Sequence, residues 1–312
     1  MPWRLHLTNR ALLRLDLLDE NNPPLLAAWT QPGRVSYLDV QSGAAMGEKR
    51  LADVGSRQPE RWLLLQPELA APNGVYPPVV PGPGITLYLS RTAQQRLYHL
   101  ASGELYFVSP AQETHFSPGG VGAHRFLTAA LKRTGDLAAA LDSAGKLYLY
   151  RQHTQIGVFG LVPGIDPTAF TAVALPDADD TLYVAYDRCL LNVSAEGQVR
   201  KRLELHYPIG AFACSPRGHL LACSDKDTNV IRVYDGETLH PLRQRHALDL
   251  MAKATQVQLI ADQPPSMVML NTLTINDQGA LAFGLAGVIC VTDVSQMLAL
   301  PQPAQPIHQE PI

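Results

Sequence analysis

The chain has 312 residues, of which 46% are hydrophobic and 17% charged, and its formal net charge is −3 at pH 7. That length allows a large buried interior, and the near-neutral charge gives no overall pull toward nucleic acid or an anionic membrane. No run of about 18 apolar residues is present to span a bilayer.

The opening residues 1–20 lack an uninterrupted apolar core and a cleavage site, so no export signal is read there. Arg4 to Leu7 reads as a strand with no partner nearby in sequence. Asp19-Glu-Asn-Asn-Pro begins a series of tight-turn signals that continues with Arg133-Thr-Gly-Asp, Pro176-Asp-Ala-Asp-Asp, Ser215-Pro-Arg-Gly and Asn276-Asp-Gln-Gly. Gly tolerates positive φ in such turns, and Asp and Asn bond their own backbone. A second series, of apolar strands ending in a small polar turn, interleaves with the first. It runs through residues 35–43, 96–103, 146–154, 189–197, 231–237 and 288–296. The interval is roughly 40 to 60 residues, within the range of blade-type repeats with insertions.

Between the first two copies lies a Pro/Gly-rich insertion, residues 72–84. It is read as a surface loop, because that composition does not suit a central strand. Gly119-Gly-Val-Gly122 lacks the Gly-Lys-Ser/Thr ending of a phosphate loop and reads as a turn. Asp177, Asp179 and Asp180 are assigned to turn chemistry over weak calcium binding. Residues 199–205 and 239–245 read as outer strands that turn Arg200, Arg202, Arg243 and Arg245 outward. Residues 247–270 remain open between a helix, an extra strand pair and part of a degenerate seventh unit. The Pro/Gln-rich residues 301–312 read as a flexible tail after a single domain over 1–300.

The clearest unit spans residues 209–245: four short alternating runs joined by Ser215-Pro-Arg-Gly, an Asp-rich turn, and Asp235-Gly-Glu-Thr. This unit resembles a WD40 repeat, with Tyr234-Asp235 in place of the usual Trp-Asp pair. The resemblance implies an all-β propeller of four-stranded blades, six in number, with seven as the alternative. In such a ring the opening strand is expected to complete the last blade and remove free sheet edges. The resemblance also implies a structural hydrogen-bond network of His206 with Ser224 and Asp235.

The four cysteines, Cys189, Cys214, Cys223 and Cys290, form no Cys-x-x-Cys pair, which points to a reducing, cytoplasmic setting. Cys214 and Cys223 sit on neighbouring strands, offset by about two residues, and are read as separate thiols. No histidine pair, zinc cluster or nucleophile elbow is present, so no catalytic, cofactor or metal set is assigned. The expected function is a non-catalytic scaffold that binds another protein, without nucleic acid, through the rim arginines and Tyr76 in the insertion. One alternative is a metal-dependent, lactonase-like hydrolase using Asp16, Asp136 and Asn271. The other is polyanion or phosphoinositide binding through the four arginines.

Overall fold

The computed structural model describes residues 2–6, 12–19, 23–31, 34–50, 70–72, 74–82, 84–118, 124–162, 164–177, 181–254, 270–285 and 287–300. Strand β1 (Trp3–His6) stands apart from the first blade, which is β2 (Arg14–Leu18), β3 (Leu25–Gln31), β4 (Arg34–Asp39) and β5 (Ala45–Arg50). The second blade has five strands: β6 (Val79–Gly82), β7 (Ile85–Leu89), β8 (Arg96–Leu100), β9 (Leu105–Val108) and β10 (Glu113–Phe116). The third is β11 (Phe126–Leu131), β12 (Leu137–Asp142), β13 (Lys146–Arg151) and β14 (Thr154–Gly160). The fourth is β15 (Thr171–Ala174), β16 (Thr181–Tyr186), β17 (Cys189–Ser194) and β18 (Val199–Glu204).

The fifth blade is β19 (Ile209–Cys214), β20 (Leu220–Asp225), β21 (Val230–Asp235) and β22 (Pro241–His246). Helix α1 (Ala247–Lys253) follows, then β23 (Leu270–Ile275), β24 (Ala280–Leu285) and β25 (Val288–Asp293) of the sixth blade. After a 3-10 turn at Val294–Gln296, β26 (Leu298–Ala299) adds a fifth strand outside β22. The result is an all-β six-bladed propeller, with no seventh blade among the described residues. Of residues 247–270, the first seven form α1, whose Ala247, Leu250 and Met251 are buried between blades five and six. Residues 255–269 and 301–312 lie outside the described residues.

Strand alternation explains how six thin sheets share their cores. Successive side chains point to opposite faces, so each strand feeds two interfaces. On β12, Ala138 and Ala140 pack toward blade two, while Ala139 and Leu141 pack toward blade four. Six buried clusters arise this way, one in each gap between neighbouring blades. Ala138, Ala139 and Ala140 are fully buried between the neighbouring blades.

The ring closes as expected from the opening strand. β1 pairs antiparallel with β25, Trp3 opposite Val291 and His6 opposite Val288. The seam is reinforced nearer the axis, where the Leu15 and Leu17 amides on β2 donate to the Thr272 and Thr274 hydroxyls on β23, at 2.9 and 3.3 Å.

The insertion is not a surface loop. Val79–Gly82 pairs with β7 along the axial edge of blade two, from Val79 opposite Tyr88 to Gly82 opposite Ile85. Pro81 is tolerated because this strand is an edge, where one side needs no donors. Ala71, Val75 and Val80 are buried in the core between blades one and two. Pro and Gly count against a central strand, but a strand added at an edge escapes that rule.

The repeat at 96–103 is one strand out of phase with the other five. It falls on β8, a second strand, whereas its counterparts fall on the third strands β4, β13, β17, β21 and β25. The slip arises because the first turn of blade two, Ser90 to Gln95, has no glycine. Ala93 stands there at φ 54°, where Gly135, Gly218 and Gly279 serve the other turns. Its amide donates to the Ser90 carbonyl, as Gly135 does to Lys132.

Candidate functional site

The innermost strands surround a central channel of about 820 Å³. Its wall combines apolar residues with the polar side chains of Arg14, Asp16, Tyr88, Thr128 and Thr272. At one mouth the turns that follow the first strands converge, and each brings a charge: Asp19, Arg91, Arg133, Asp177, Arg217 and Asp277. The turn series read from the sequence therefore has a spatial meaning, since its polar residues line a common rim.

Most of these charges are engaged. Arg91 reaches across blade three to Asp177 at 2.5 Å, and its amide donates to the Arg133 carbonyl. The Arg133 guanidinium donates to the Leu89 and Tyr76 carbonyls at 3.1 and 3.0 Å, tying the inserted segment to blade three. The Asp277 carboxylate accepts from the Arg217 amide at 3.1 Å, yet the Arg217 side chain is exposed and makes no ion pair among the described residues. Beside it, His219 is also exposed.

Deeper in, the Asp16 side chain is only 5% exposed and receives the Arg14 Nε–H at 2.9 and 3.1 Å. Burial pushes the Asp16 carboxyl above the usual value of 3.8, and Arg14 offsets only part of that. Between 3.8 and the raised value, the folded chain holds a proton that the unfolded chain has released. The contribution of this group to stability is therefore full below 3.8 and is lost as pH rises through the folded-state value. Asp16→Asn should remove this dependence. Urea midpoints of the two proteins should converge in acid and separate in favour of the variant as pH rises. A gap that stays constant with pH would refute this role of Asp16.

The residues singled out from sequence fall in different places. On β18, Arg200 donates to the Thr181 hydroxyl at 3.0 Å, and Arg202 pairs with Glu204 at 2.5 Å. On β22, Arg243 and Arg245 donate to the carbonyls of Met297 and Gln296, at 3.2 and 3.1 Å. β22 is thus not an outer edge but lies beneath β26, and its two arginines clasp the returning chain. Tyr76 is half-buried against the core between blades one and two. Asp136 is held by the Thr134 hydroxyl within its turn, and the side chain of Asn271 lies outside what is described. Among the described residues no group of three His, Cys, Asp or Glu is placed to hold a metal.

His206, Ser224 and Asp235 are not joined by hydrogen bonds. His206 is exposed and stands edge-on to Tyr207 at 5.1 Å. The Ser224 hydroxyl is buried without a partner among the described residues, and Asp235 accepts from the Thr238 amide and hydroxyl at 2.7 Å each. The buried polar set of blade five is a different one. The Tyr207 and Tyr234 hydroxyls meet at 2.5 Å, Arg232 lies 4.1 Å above the Tyr207 ring, and Asp225 is 3.7 Å from Arg232. Tyr234 holds the position of the usual Trp, so its hydroxyl needed a partner in the core, and Tyr207 supplies one. The pairing of a Tyr-Asp repeat ending with Tyr207 was the available sequence signal.

All four cysteines are free thiols. Phe212 is the residue opposite Cys223, which offsets Cys214 by two positions, as expected.

No protein-family model matches this chain, and no curated protein matches it. Solved structures do. The chain resembles the β-propeller domain of Cps50 (Swd1) from Myceliophteria thermophila, with a TM-score of 0.53 and 14% identity over 91% of this chain and 83% of that one. It also resembles Raptor from Chaetomium thermophilum, with a TM-score of 0.64 and 9% identity over 96% of this chain and 30% of that one. The fold is a β-propeller, the description that the first of these structures carries. At such identities the likeness extends to the fold alone.

Proposed function

We propose that this WD40-like propeller is a non-catalytic scaffold that holds a segment of another protein at the charged mouth of its channel. The observation that carries this reading is the exposed Arg217 guanidinium, set on a rigid turn at the rim of the channel. Its position is braced by Asp277 through the backbone, so the side chain remains available for a bidentate carboxylate contact. The channel wall offers apolar and hydroxyl groups, but the carboxylate within it is already engaged by Arg14. A nucleophile, base and oxyanion donors arranged around a common point are not seen among the described residues, which favours binding over catalysis. The four separate thiols support the further proposal of a reducing, cytoplasmic setting.

Affinity capture with the tagged full chain from its native cell tests the reading. Arg217→Glu should lower recovery of the specific partner about tenfold, the equivalent of losing one charge-assisted contact. An unchanged set of captured proteins, or none above an untagged control with the wild-type chain, would refute it.

A further inference from the structure

The six outer sheet edges are not alike. β5 ends in Glu48, Lys49 and Arg50, β10 begins with Glu113, β18 carries Arg200, Lys201, Arg202 and Glu204, and β1 carries Arg4. β22 is covered by β26. Charge and coverage are the usual means by which proteins prevent strand addition at an edge. Among the described residues β14, Thr-Gln-Ile-Gly-Val-Phe-Gly, has neither. It is seven residues long, forms the outer edge of blade three, and contains no charged residue and no proline.

Its apolar side chains are divided by alternation. Phe159 turns toward blade four, covering Gly157 and Gly197. Val158, opposite Tyr148, turns the other way, and Ile156 stands at the bulge where the register with β13 shifts; they are 42% and 44% exposed. Gly160, at the end of the strand, has open space where a Cβ would stand. On β13, the neighbouring strand, Lys146 opposite Gly160 and Arg151 opposite Thr154 are both exposed. Neither has an acidic partner among the described residues. The edge is therefore apolar at Ile156 and Val158, and the two ends of β13 behind it are basic.

We propose that β14 is a docking edge for an extended partner segment, apolar at alternate positions and acidic at its ends, which adds to blade three as a fifth strand. Backbone hydrogen bonds to the free edge would hold the segment, Ile156 and Val158 would pack against its apolar side chains, and Lys146 and Arg151 would pair with its terminal carboxylates. The fold already accepts strand addition at an equivalent outer edge, where β26 pairs with β22 through Arg243–Ala299 and Gln244–Leu298. This proposal rests on the scaffold reading and gives it a second contact surface.

The test uses a fluorescein-labelled peptide of even length, Glu-Val-Thr-Val-Thr-Glu, whose terminal glutamates fall on opposite faces as Lys146 and Arg151 do, added to the full chain. Fluorescence anisotropy should show binding below about 1 mM, and Val158→Lys should weaken it about tenfold. Val199→Lys on β18 should leave binding unchanged. A peptide with lysine in place of both glutamates should bind more weakly. Amide exchange should slow over Gln155 to Phe159 when the peptide is present. No binding, equal binding to all three proteins, or slowed exchange elsewhere would overturn the proposal. So would a concentration-dependent dimer abolished by Val158→Lys, which would assign the edge to a second copy of this chain. A partner whose capture is lost with Arg217→Glu but kept with Val158→Lys would refute this edge while leaving the scaffold reading in place.

Discussion

Trp3→Ala should lower the melting temperature by roughly 6–20 °C, the shift expected for a loss of about 3–5 kcal/mol. Trp3 belongs to β1 but is buried in the gap between blades six and one, among Leu15, Leu38, Val40 and Val291. Its indole N–H donates to the Val40 carbonyl at 2.6 Å. Gly43, at φ 72°, turns so closely beneath the ring that a Cβ there would come within 2.9 Å of it. The substitution removes a large side chain and leaves a carbonyl without its donor, so the cavity and hydrogen-bond costs add. It also loosens the strand that joins the two ends of the ring. Thermal unfolding followed by circular dichroism measures the effect. A shift below about 2 °C would mean that β1 is not essential to closure.

Gly236→Ala should cost more than about 3 kcal/mol, because the new Cβ meets backbone that has little room to move. It would stand 1.8 Å from the Gly218 carbonyl oxygen and 2.8 Å from the Tyr183 hydroxyl. The same residue ties blade four to blade five. Its carbonyl accepts from the Asn192 side-chain amide at 3.1 Å, its own amide donates to the His219 carbonyl, and the Tyr183 hydroxyl donates to the Gly218 carbonyl at 3.0 Å. Movement that relieves the clash must break one of these links. Gly160→Ala is the control, since nothing lies within 4 Å of its Cβ position. Urea unfolding of the two variants should separate them clearly. Equal midpoints would show that the contact between blades four and five yields without cost.

Blade five was legible nearly residue by residue, because each of its strands is a clean alternating run bounded by strong turn residues. The closing strand was legible for the same reason, as an apolar run lacking a local partner. Blade two was not. Ala93 hides a turn that glycine marks elsewhere, and the Pro/Gly content of residues 72–84 conceals an axial edge strand. The site was less legible than the fold. Arg217 and Asp277 were visible as turn residues, but their convergence depends on ring geometry that no local pattern encodes. The four arginines were placed on the correct strands. Their availability depended on β26, a two-residue strand too short to leave a periodic signal.

Closure through β1 also has a temporal side. Trp3 and its partner Val291 lie 288 positions apart. At translation rates of about 5–20 residues per second, the first strand waits roughly 15–60 s for the surface it will cover. During that interval the early blades form an open arc with unpaired ends. A cell making this protein must shield that arc, and holdase chaperones should be found on nascent chains until blade six emerges.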